Sequence, residues 1–306
     1  MRKTLAFVCS LLGAAVPANA TTQAVMSCTQ VYAELQASGT GLKINQLKAY
    51  YRQSLAAGDC SDAFRKTIGR RVAVAIANAA EQAVAAGRSL ESQESRLTDS
   101  LKYHRLWQVL ATLGDIAKRR QDFVTAAEMY QQSLDAIADE TATRKAPDER
   151  IIASIFKKAE TSRLLADSYV APTRNRAGEP SGLGAPSVRG FVPSKVAIPI
   201  TFEQGTAALA PEGKSATADL MRQLQAQGSP DITVVGHTDA GVGATARQRL
   251  SENRAAAVKR FLLEAGYSGS IDTAGRGASE PYAPDDPSGY TERQRHRMDL
   301  RVELRR

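Results

Sequence analysis

The stretch Gly236-His237-Thr238-Asp239, followed eleven residues later by Leu250-Ser251-Glu252-Asn253-Arg254-Ala255, decides the fold of the C-terminal third of this chain. The first motif directly follows Asp231–Val235, a short β-branched segment that predicts a strand. The second lies within Ala244–Ala265, where apolar residues recur at helical spacing. The two motifs therefore place an acid at the end of a strand and an arginine on the next helix.

An alternation of strands and helices surrounds these motifs. Residues Lys195–Phe202 are β-branched, and Pro199 predicts an edge or irregular strand there. A helix is predicted over Pro211–Gln225 and a third strand over Ile271–Ala274. From Met298 to Leu304 apolar and charged residues alternate, which is typical of a half-exposed strand. The pattern predicts an α/β sandwich over about residues 193–306.

These motifs resemble the OmpA-like domain of bacterial envelope proteins, whose hallmark is a Gly-His-Thr-Asp turn followed by Leu-Ser-x-x-Arg-Ala on the next helix. The third strand extends the resemblance, because five residues keep the family spacing: Ile271, Gly275, Gly277, Ser279 and Pro281. The resemblance covers about residues 193–306 and implies non-covalent binding of peptidoglycan.

The resemblance also implies the ligand-binding residues. Asp239 would accept from the ammonium group of diaminopimelate in a stem peptide, and Arg254 would pair with its carboxylate through two parallel hydrogen bonds. The alternative is an internal ion pair that shapes the turn. Thr238 would donate to the ligand or cap the turn, and Arg297 is either a further contact or a solvated strand residue. His237 is predicted to be a packed turn residue.

Three departures from the family pattern concern the surroundings of this site. Val242 stands between Gly241 and Gly243, where the family usually has glycine. Arg247 occupies a position that is commonly asparagine. The terminal motif Asn-Arg-Arg-Val-Glu is matched to Arg295–Asp299, which keeps the second arginine and the acid. These changes affect side contacts of the site and leave Asp239 and Arg254 in place.

The first twenty residues are predicted to be a secretory signal peptide. Arg2 and Lys3 precede an apolar run from Leu5 to Val16, and Ala18-Asn19-Ala20 supplies a cleavage site. The alternative is a membrane anchor, for which this apolar run is too short. No later segment is apolar enough to cross a membrane, so we expect a periplasmic, wall-bound protein with an association to the outer membrane.

Two cysteines remain after the signal peptide. Cys28 and Cys60 form an even pair, which in an exported chain predicts a disulfide. The alternative is a pair of small, unpaired core residues.

Residues 21–170 are predicted to form an all-α domain, because good helix formers dominate and apolar residues recur at helical spacing. Within Trp107–Asp139 six residues stand at offsets that resemble a tetratricopeptide repeat: Leu110, Leu113, Gly114, Ala117, Ala126 and Tyr130. Neighbouring windows match less well, so a generic helical bundle remains an alternative. In either case we expect a protein-interaction or spacer surface.

Glycine and proline crowd into residues 171–192. Such a composition predicts a flexible-to-extended linker between the helical domain and the OmpA-like domain.

The sequence favours a binding protein over an enzyme. It contains neither a nucleophile elbow nor a glycine-rich phosphate loop, and its histidines do not cluster at metal-ligand spacing. We therefore expect no cofactor and no metal.

The formal net charge of +8 suits anionic envelope surfaces, but the basic residues form no aromatic-interleaved stripe for nucleic acid. The predicted function is anchorage to peptidoglycan, with the helical domain binding a protein partner; the alternative is a scaffold component of an envelope secretion or assembly complex.

Overall fold

The computed structural model describes residues 26–38, 41–175, 177–240 and 243–305. The predicted signal peptide, Gly241 and Val242 lie outside these ranges. Among the described helices, none combines the length and the hydrophobicity that crossing a bilayer requires.

Helices and the loops that join them make up the described residues up to Leu165, which confirms the predicted all-α region. We call α1–α7 the helical region. Its helices are α1 (Cys28–Ala37), α2 (Ile44–Ala56), α3 (Asp62–Ala85), α4 (Glu94–Ser100), α5 (Trp107–Arg119), α6 (Phe123–Ala138) and α7 (Glu149–Leu165).

The helices α5 and α6 form a tightly packed hairpin at Gly114. A Cβ atom on Gly114 would lie 2.6 Å from the ring of Tyr130, so the absent side chain allows the tyrosine of α6 to reach the backbone of α5. Ser133 of α6 donates a hydrogen bond of 2.8 Å to the carbonyl of Trp107 at the start of α5. Gly114 and Tyr130 thus pack against each other, as the repeat-like spacing implies. That the hairpin is a tetratricopeptide repeat stays a prediction.

The predicted disulfide between Cys28 and Cys60 is confirmed. Cys28 begins α1 and Cys60 directly precedes Ser61, the N-cap residue of α3; their Cα atoms are 4.9 Å apart. The bond links α1 to the α2–α3 connection. Beside it, Val31 and Leu35 of α1 are buried in one core cluster with Ile68 and Val72 of α3.

The C-terminal part is a four-stranded mixed sheet with helices, in agreement with the predicted α/β class. Its elements are β1 (Lys195–Ile198), α8 (Pro211–Ala226), β2 (Ile232–Gly236), α9 (Ala244–Glu264), β3 (Ile271–Gly275), α10 (Glu292–Asp299) and β4 (Val302–Arg305). The strand order is β1-β4-β2-β3. Strand β4 is antiparallel to both of its neighbours, and β2 and β3 are parallel.

Two predicted strands differ from the structure in extent. Strand β1 ends at Ile198, directly before Pro199, which cannot donate a backbone hydrogen bond. The last predicted strand, Met298–Leu304, is wrong in its first half, because Met298 and Asp299 end helix α10. A capping box between Thr291 and Gln294 starts this short helix. Its buried Met298 lies between polar residues, so the sequence there alternates between apolar and polar residues as it would in a strand.

The flexibility predicted for residues 171–192 is wrong. Leu183 and Val188 are buried in the core of α6 and α7, and the ring of Phe191 packs on that of Phe156 at 5.5 Å. Polar contacts fasten the segment as well, since Thr173 donates to Asp135 at 3.1 Å. The segment is irregular in conformation, but it is fixed by contacts with the helical region.

We call the part from β1 to β4, with α8, α9 and α10, the sheet domain. The helical region packs directly on it, and we call this contact the junction. Its apolar core joins Leu164 and Leu165 of α7 to Ala197 of β1 and to Tyr290 and Met298. A salt bridge of 2.5 Å between Lys118 and Asp285 crosses the same contact. The two parts are therefore held in one arrangement.

Candidate functional site

The candidate site is built where strand β2 runs into helix α9. A Cβ atom on Gly236, the last residue of β2, would lie 2.1 Å from the carbonyl oxygen of Ser251. A Cβ atom on Gly275, its partner at the end of β3, would lie 2.5 Å from the Ser251 hydroxyl oxygen. The two glycines therefore let α9 lie almost in contact with the strand ends, which explains why the motif requires them.

Ser251 fixes α9 to the loop that follows β3. Its hydroxyl donates to the carbonyl of Gln248 at 2.7 Å and accepts from the backbone N–H of Gly277 at 2.9 Å. Ser251 is fully buried, as is Ala255 one turn later. The motif Leu-Ser-x-x-Arg-Ala thus sets the rotation of α9, and this rotation aims Arg254.

Asp239 lies just beyond β2 and is accessible. Its side chain is 41% exposed to solvent. Its carboxylate Oδ2 lies 3.8 Å from Nδ1 of His296 on α10. The imidazole of His296 also lies 3.7 Å from Glu292, so it stands between two carboxylates. The carboxylate of Asp239 is therefore in part accessible to solvent.

Arg254 is largely buried, with 7% of its surface exposed. Its Nε donates to the carbonyl of Thr206 at 3.1 Å, and its guanidinium lies 4.9 Å from the ring centre of Phe202. Burial lowers the pKa of Arg254, and the negative charge of Asp239 acts against this shift. Arg254 stays a cation, since an arginine pKa lies far above neutral pH.

Asp239 and Arg254 do not pair with each other. Among the described residues the imidazole of His296 lies within 4 Å of the carboxylate, and no salt bridge of 4 Å or less joins the carboxylate to Arg254. The guanidinium of Arg254 is bonded through its Nε. The charge of Asp239 therefore acts on Arg254 without a direct contact between the two side chains.

The other two predicted site residues lie in different surroundings. Thr238 is buried; its backbone N–H bonds to Gly277 at 2.9 Å, while its hydroxyl makes no hydrogen bond with any described residue. Arg297 lies on α10, not on a strand, and its Nη1 donates to Asp167 at 3.1 Å. Its Nη2 donates to the carbonyl of Ala166. Arg297 is therefore bound to the chain that leaves α7.

A cavity of about 150 Å³ brings Arg254 and Arg297 together. Phe202 and Glu212 of the sheet domain also line it, and its opposite wall is the segment that follows α7. That wall includes Ala166, Ser168 and Tyr169. No sequence motif marks this wall, and it belongs to the predicted helical domain.

Residues 201–295 match the sequence profile of the OmpA family. These residues form an OmpA-family domain. Similar solved structures include the OmpA-like domain of FopA1 from Francisella tularensis (24% identity over 36% of this chain and 69% of that one, TM-score 0.30). They also include the cell wall anchor of the T6SS from Pseudomonas aeruginosa (23% identity, 36% and 76%, TM-score 0.29). A third is the periplasmic domain of Helicobacter pylori MotB (24% identity, 36% and 77%, TM-score 0.29). The comparison with curated proteins gave no match.

The terminal motif of the OmpA-family domain is better matched four residues further on. Asp299-Leu300-Arg301-Val302-Glu303 keeps the arginine, the valine and the glutamate, and its last two residues begin β4. The fit to Arg295–Asp299 keeps only the second arginine and an acid, and it lies on α10.

One group of acid and imidazole side chains in the C-terminal part of the chain has the spacing of a metal site. Ligand atoms of His237, Glu280 and Glu303 lie within 4.8 Å of one another. Arg305 already occupies both carboxylates, since it donates to Glu303 at 2.5 Å and also to Glu280. Burial raises the pKa of Glu303, but the hydrogen bond from Arg305 and the charge of Arg301 outweigh it and lower this pKa overall. The cluster is therefore a network of ion pairs, and a metal cation would have to displace Arg305 from both carboxylates.

Proposed function

We propose that this protein binds peptidoglycan non-covalently through its OmpA-family domain and thereby anchors the helical region to the cell wall. The observation that carries the proposal is the arrangement of Asp239 and Arg254. One acid and one base lie close together at the end of β2 and on α9, and neither neutralises the other through a direct contact.

This arrangement suits diaminopimelate in the stem peptide. That residue carries an ammonium group and a free carboxylate at its far end, so a selective site needs an acid and a base at a fixed separation. The planar guanidinium of Arg254 can bind the carboxylate through two parallel hydrogen bonds. Asp239 can accept from the ammonium group. Because Arg254 is fixed by Thr206 and Phe202, little side-chain entropy is lost when the ligand binds.

Thr238 and Arg297 are proposed as additional contacts. The Thr238 hydroxyl is buried and has no hydrogen-bond partner among the described residues, so it would donate to the ligand only after the turn opens. Arg297 lines the same cavity as Arg254, and its guanidinium would share its hydrogen bonds between Asp167 and the ligand. The imidazole of His296 would move from Asp239 when an ammonium group arrives.

We propose binding without catalysis, in the periplasm after removal of residues 1–20. The wall contact would hold the protein near the outer membrane, and the helical region would bind another envelope protein. The packed junction would fix the position of this helical region relative to the wall.

Co-sedimentation with purified peptidoglycan sacculi tests the wall-binding proposal. We expect the mature wild-type protein to pellet, and we expect Asp239→Ala and Arg254→Ala to stay in the supernatant. Two matched controls remove the same charges from exposed positions of the same domain: Asp272→Ala on β3 and Arg249→Ala on α9. Both controls should pellet like wild type, and circular dichroism should show that all variants are folded.

Three outcomes would contradict the proposal. Wild type could remain soluble, the controls could lose as much binding as the site variants, or the site variants could pellet normally. Release of soluble muropeptides from the sacculi would instead indicate a hydrolase.

A further inference from the structure

The helical region carries a long groove along α3 that the wall-binding proposal does not use. Two adjoining cavities of about 730 and 660 Å³ share Arg70, Val74 and Asn78 as lining residues. These three residues are four apart in sequence and therefore lie on one face of α3. We call the two cavities together the α3 groove.

Apolar side chains line both halves of the α3 groove. Leu42 and Leu47 contribute to the first half, and Leu97, Leu106 and Val109 contribute to the second. Val74 lies at the centre, and it is exposed over 37% of its surface. Val74 thus adds exposed apolar surface to the recessed apolar lining of the groove.

The first half of the groove is strongly basic. Its lining includes Lys66, Arg70, Arg71 and Arg144, and no aspartate or glutamate is among its described lining residues. The side chains of Lys66, Arg70 and Arg144 make no hydrogen bond or ion pair with any described residue. The second half is lined by Glu81 in addition to Arg70. Positive charge is thus concentrated at one end.

We propose that the α3 groove binds an acidic, amphipathic peptide segment of another protein. Carboxylates of this segment would pair with Lys66, Arg70 and Arg144, and its apolar face would lie on Val74 and the floor. The stretch of α3 that lines the groove, from residue 63 to residue 85, is about 33 Å long at 1.5 Å per residue. A helix of about 20 residues, or a shorter extended strand, spans this length.

Other occupants fit less well. Residues 1–25 of this chain contain Arg2 and Lys3 and no acidic residue, so their charge does not complement the groove. A second copy of the chain also carries a formal net charge of +8. A membrane surface is flat, whereas Leu47, Leu97 and Leu106 are recessed, with no more than 8% of their surface exposed. The groove is therefore better shaped for a narrow peptide.

Fluorescence anisotropy with a labelled 20-residue peptide of leucine, alanine and glutamate at helical spacing tests the proposal on the full mature chain. A matched peptide carries lysine in place of each glutamate. We expect binding of the glutamate peptide, weakening as salt is raised from about 50 to about 200 mM, because screening grows over that range. The lysine peptide should not bind.

Variants locate the binding to the groove. Lys66→Glu and Arg70→Glu should each weaken binding of the glutamate peptide at least tenfold. Val74→Asp should do the same, because it places a carboxylate in the apolar contact and opposite the glutamates of the peptide. Lys214→Glu changes the net charge equally at an exposed position of α8 and should stay within about twofold of wild type. All four variants should still pellet with sacculi, so failure of this proposal and failure of wall binding can be told apart.

Several results would overturn the inference. These are equal binding of both peptides, binding of neither, an equal loss in Lys214→Glu, or self-association of the chain through the same residues. Binding to anionic phosphatidylglycerol vesicles without binding to the glutamate peptide would assign the surface to a membrane instead.

Discussion

Glu160 of α7 and Tyr282 of the OmpA-family domain share a hydrogen bond of 2.7 Å across the junction. The Glu160 carboxylate also accepts from the backbone N–H of Ala197 at 2.5 Å and from Lys157 at 2.8 Å. Burial, followed by the charge of Glu160, raises the pKa of Tyr282 well above its usual value, so the phenol stays protonated and donates. A buried carboxylate with three partners thus fastens the two parts of the chain.

Replacement of Glu160 should destabilise the junction. In Glu160→Ala the backbone N–H of Ala197 loses its partner inside a buried contact, which costs about 1–3 kcal/mol of unfolding free energy. Glu160→Gln keeps an acceptor and should cost less. Urea unfolding measures both, with Glu149→Ala on the exposed start of α7 as the control. A loss no larger than that of Glu149→Ala would show that the contact contributes little.

The imidazole of His237 should make stability depend on pH. Burial lowers the pKa of His237 to about 4, and the charges of Arg301 and Arg305 add to this shift while Glu303 and Glu280 oppose it. Between pH 6.5 and 4 the unfolded chain binds a proton that the folded chain does not, so stability falls as the pH falls. The full loss is about 3 kcal/mol, at 1.36 kcal/mol per pKa unit.

Urea unfolding at pH 7.5, 6 and 5 checks this behaviour. Wild type should lose stability over this range more steeply than His237→Gln, which has no titrating group at the position. Equal slopes for the two proteins would mean that the folded state protonates the imidazole as readily as the unfolded chain does.

The α5–α6 hairpin should not tolerate a methyl group at Gly114. In Gly114→Ala the new Cβ atom would contact the ring of Tyr130 at 2.6 Å, and overpacking of this kind costs about 1–3 kcal/mol. Gly58→Ala is the matched control, because its Cβ atom would meet nothing within 4 Å. Thermal unfolding should separate the two variants. Equal stability would show that the hairpin relaxes without cost.

Reduction of the disulfide should weaken the attachment of α1. Cys28 and Cys60 are 32 residues apart, and closing a loop of this size stabilises a folded chain by about 3–4 kcal/mol. A reductant should therefore lower the unfolding midpoint of wild type. The double variant Cys28→Ser, Cys60→Ser should start from the lower midpoint and not respond to the reductant. A response in the double variant would exclude the disulfide as the cause.

The candidate site was predictable from local sequence because its parts are local. Gly236, Asp239 and Arg254 lie on one strand, its following turn and the next helix, and the steric need for glycine near Ser251 leaves a recognisable spacing. The helices up to Leu165 and the disulfide were predictable for similar reasons. Helical periodicity and an even cysteine pair are properties of the chain itself.

The sequence by itself therefore determined the class of each half, the disulfide and the positions of Asp239 and Arg254. Only the tertiary structure decided that residues 171–192 are packed, that Arg297 bonds Asp167, and that Glu160 meets Tyr282, 122 residues further along the chain. Whether an irregular segment or a charged side chain is buried depends on the surface that a distant part of the chain presents. No local period encodes that surface.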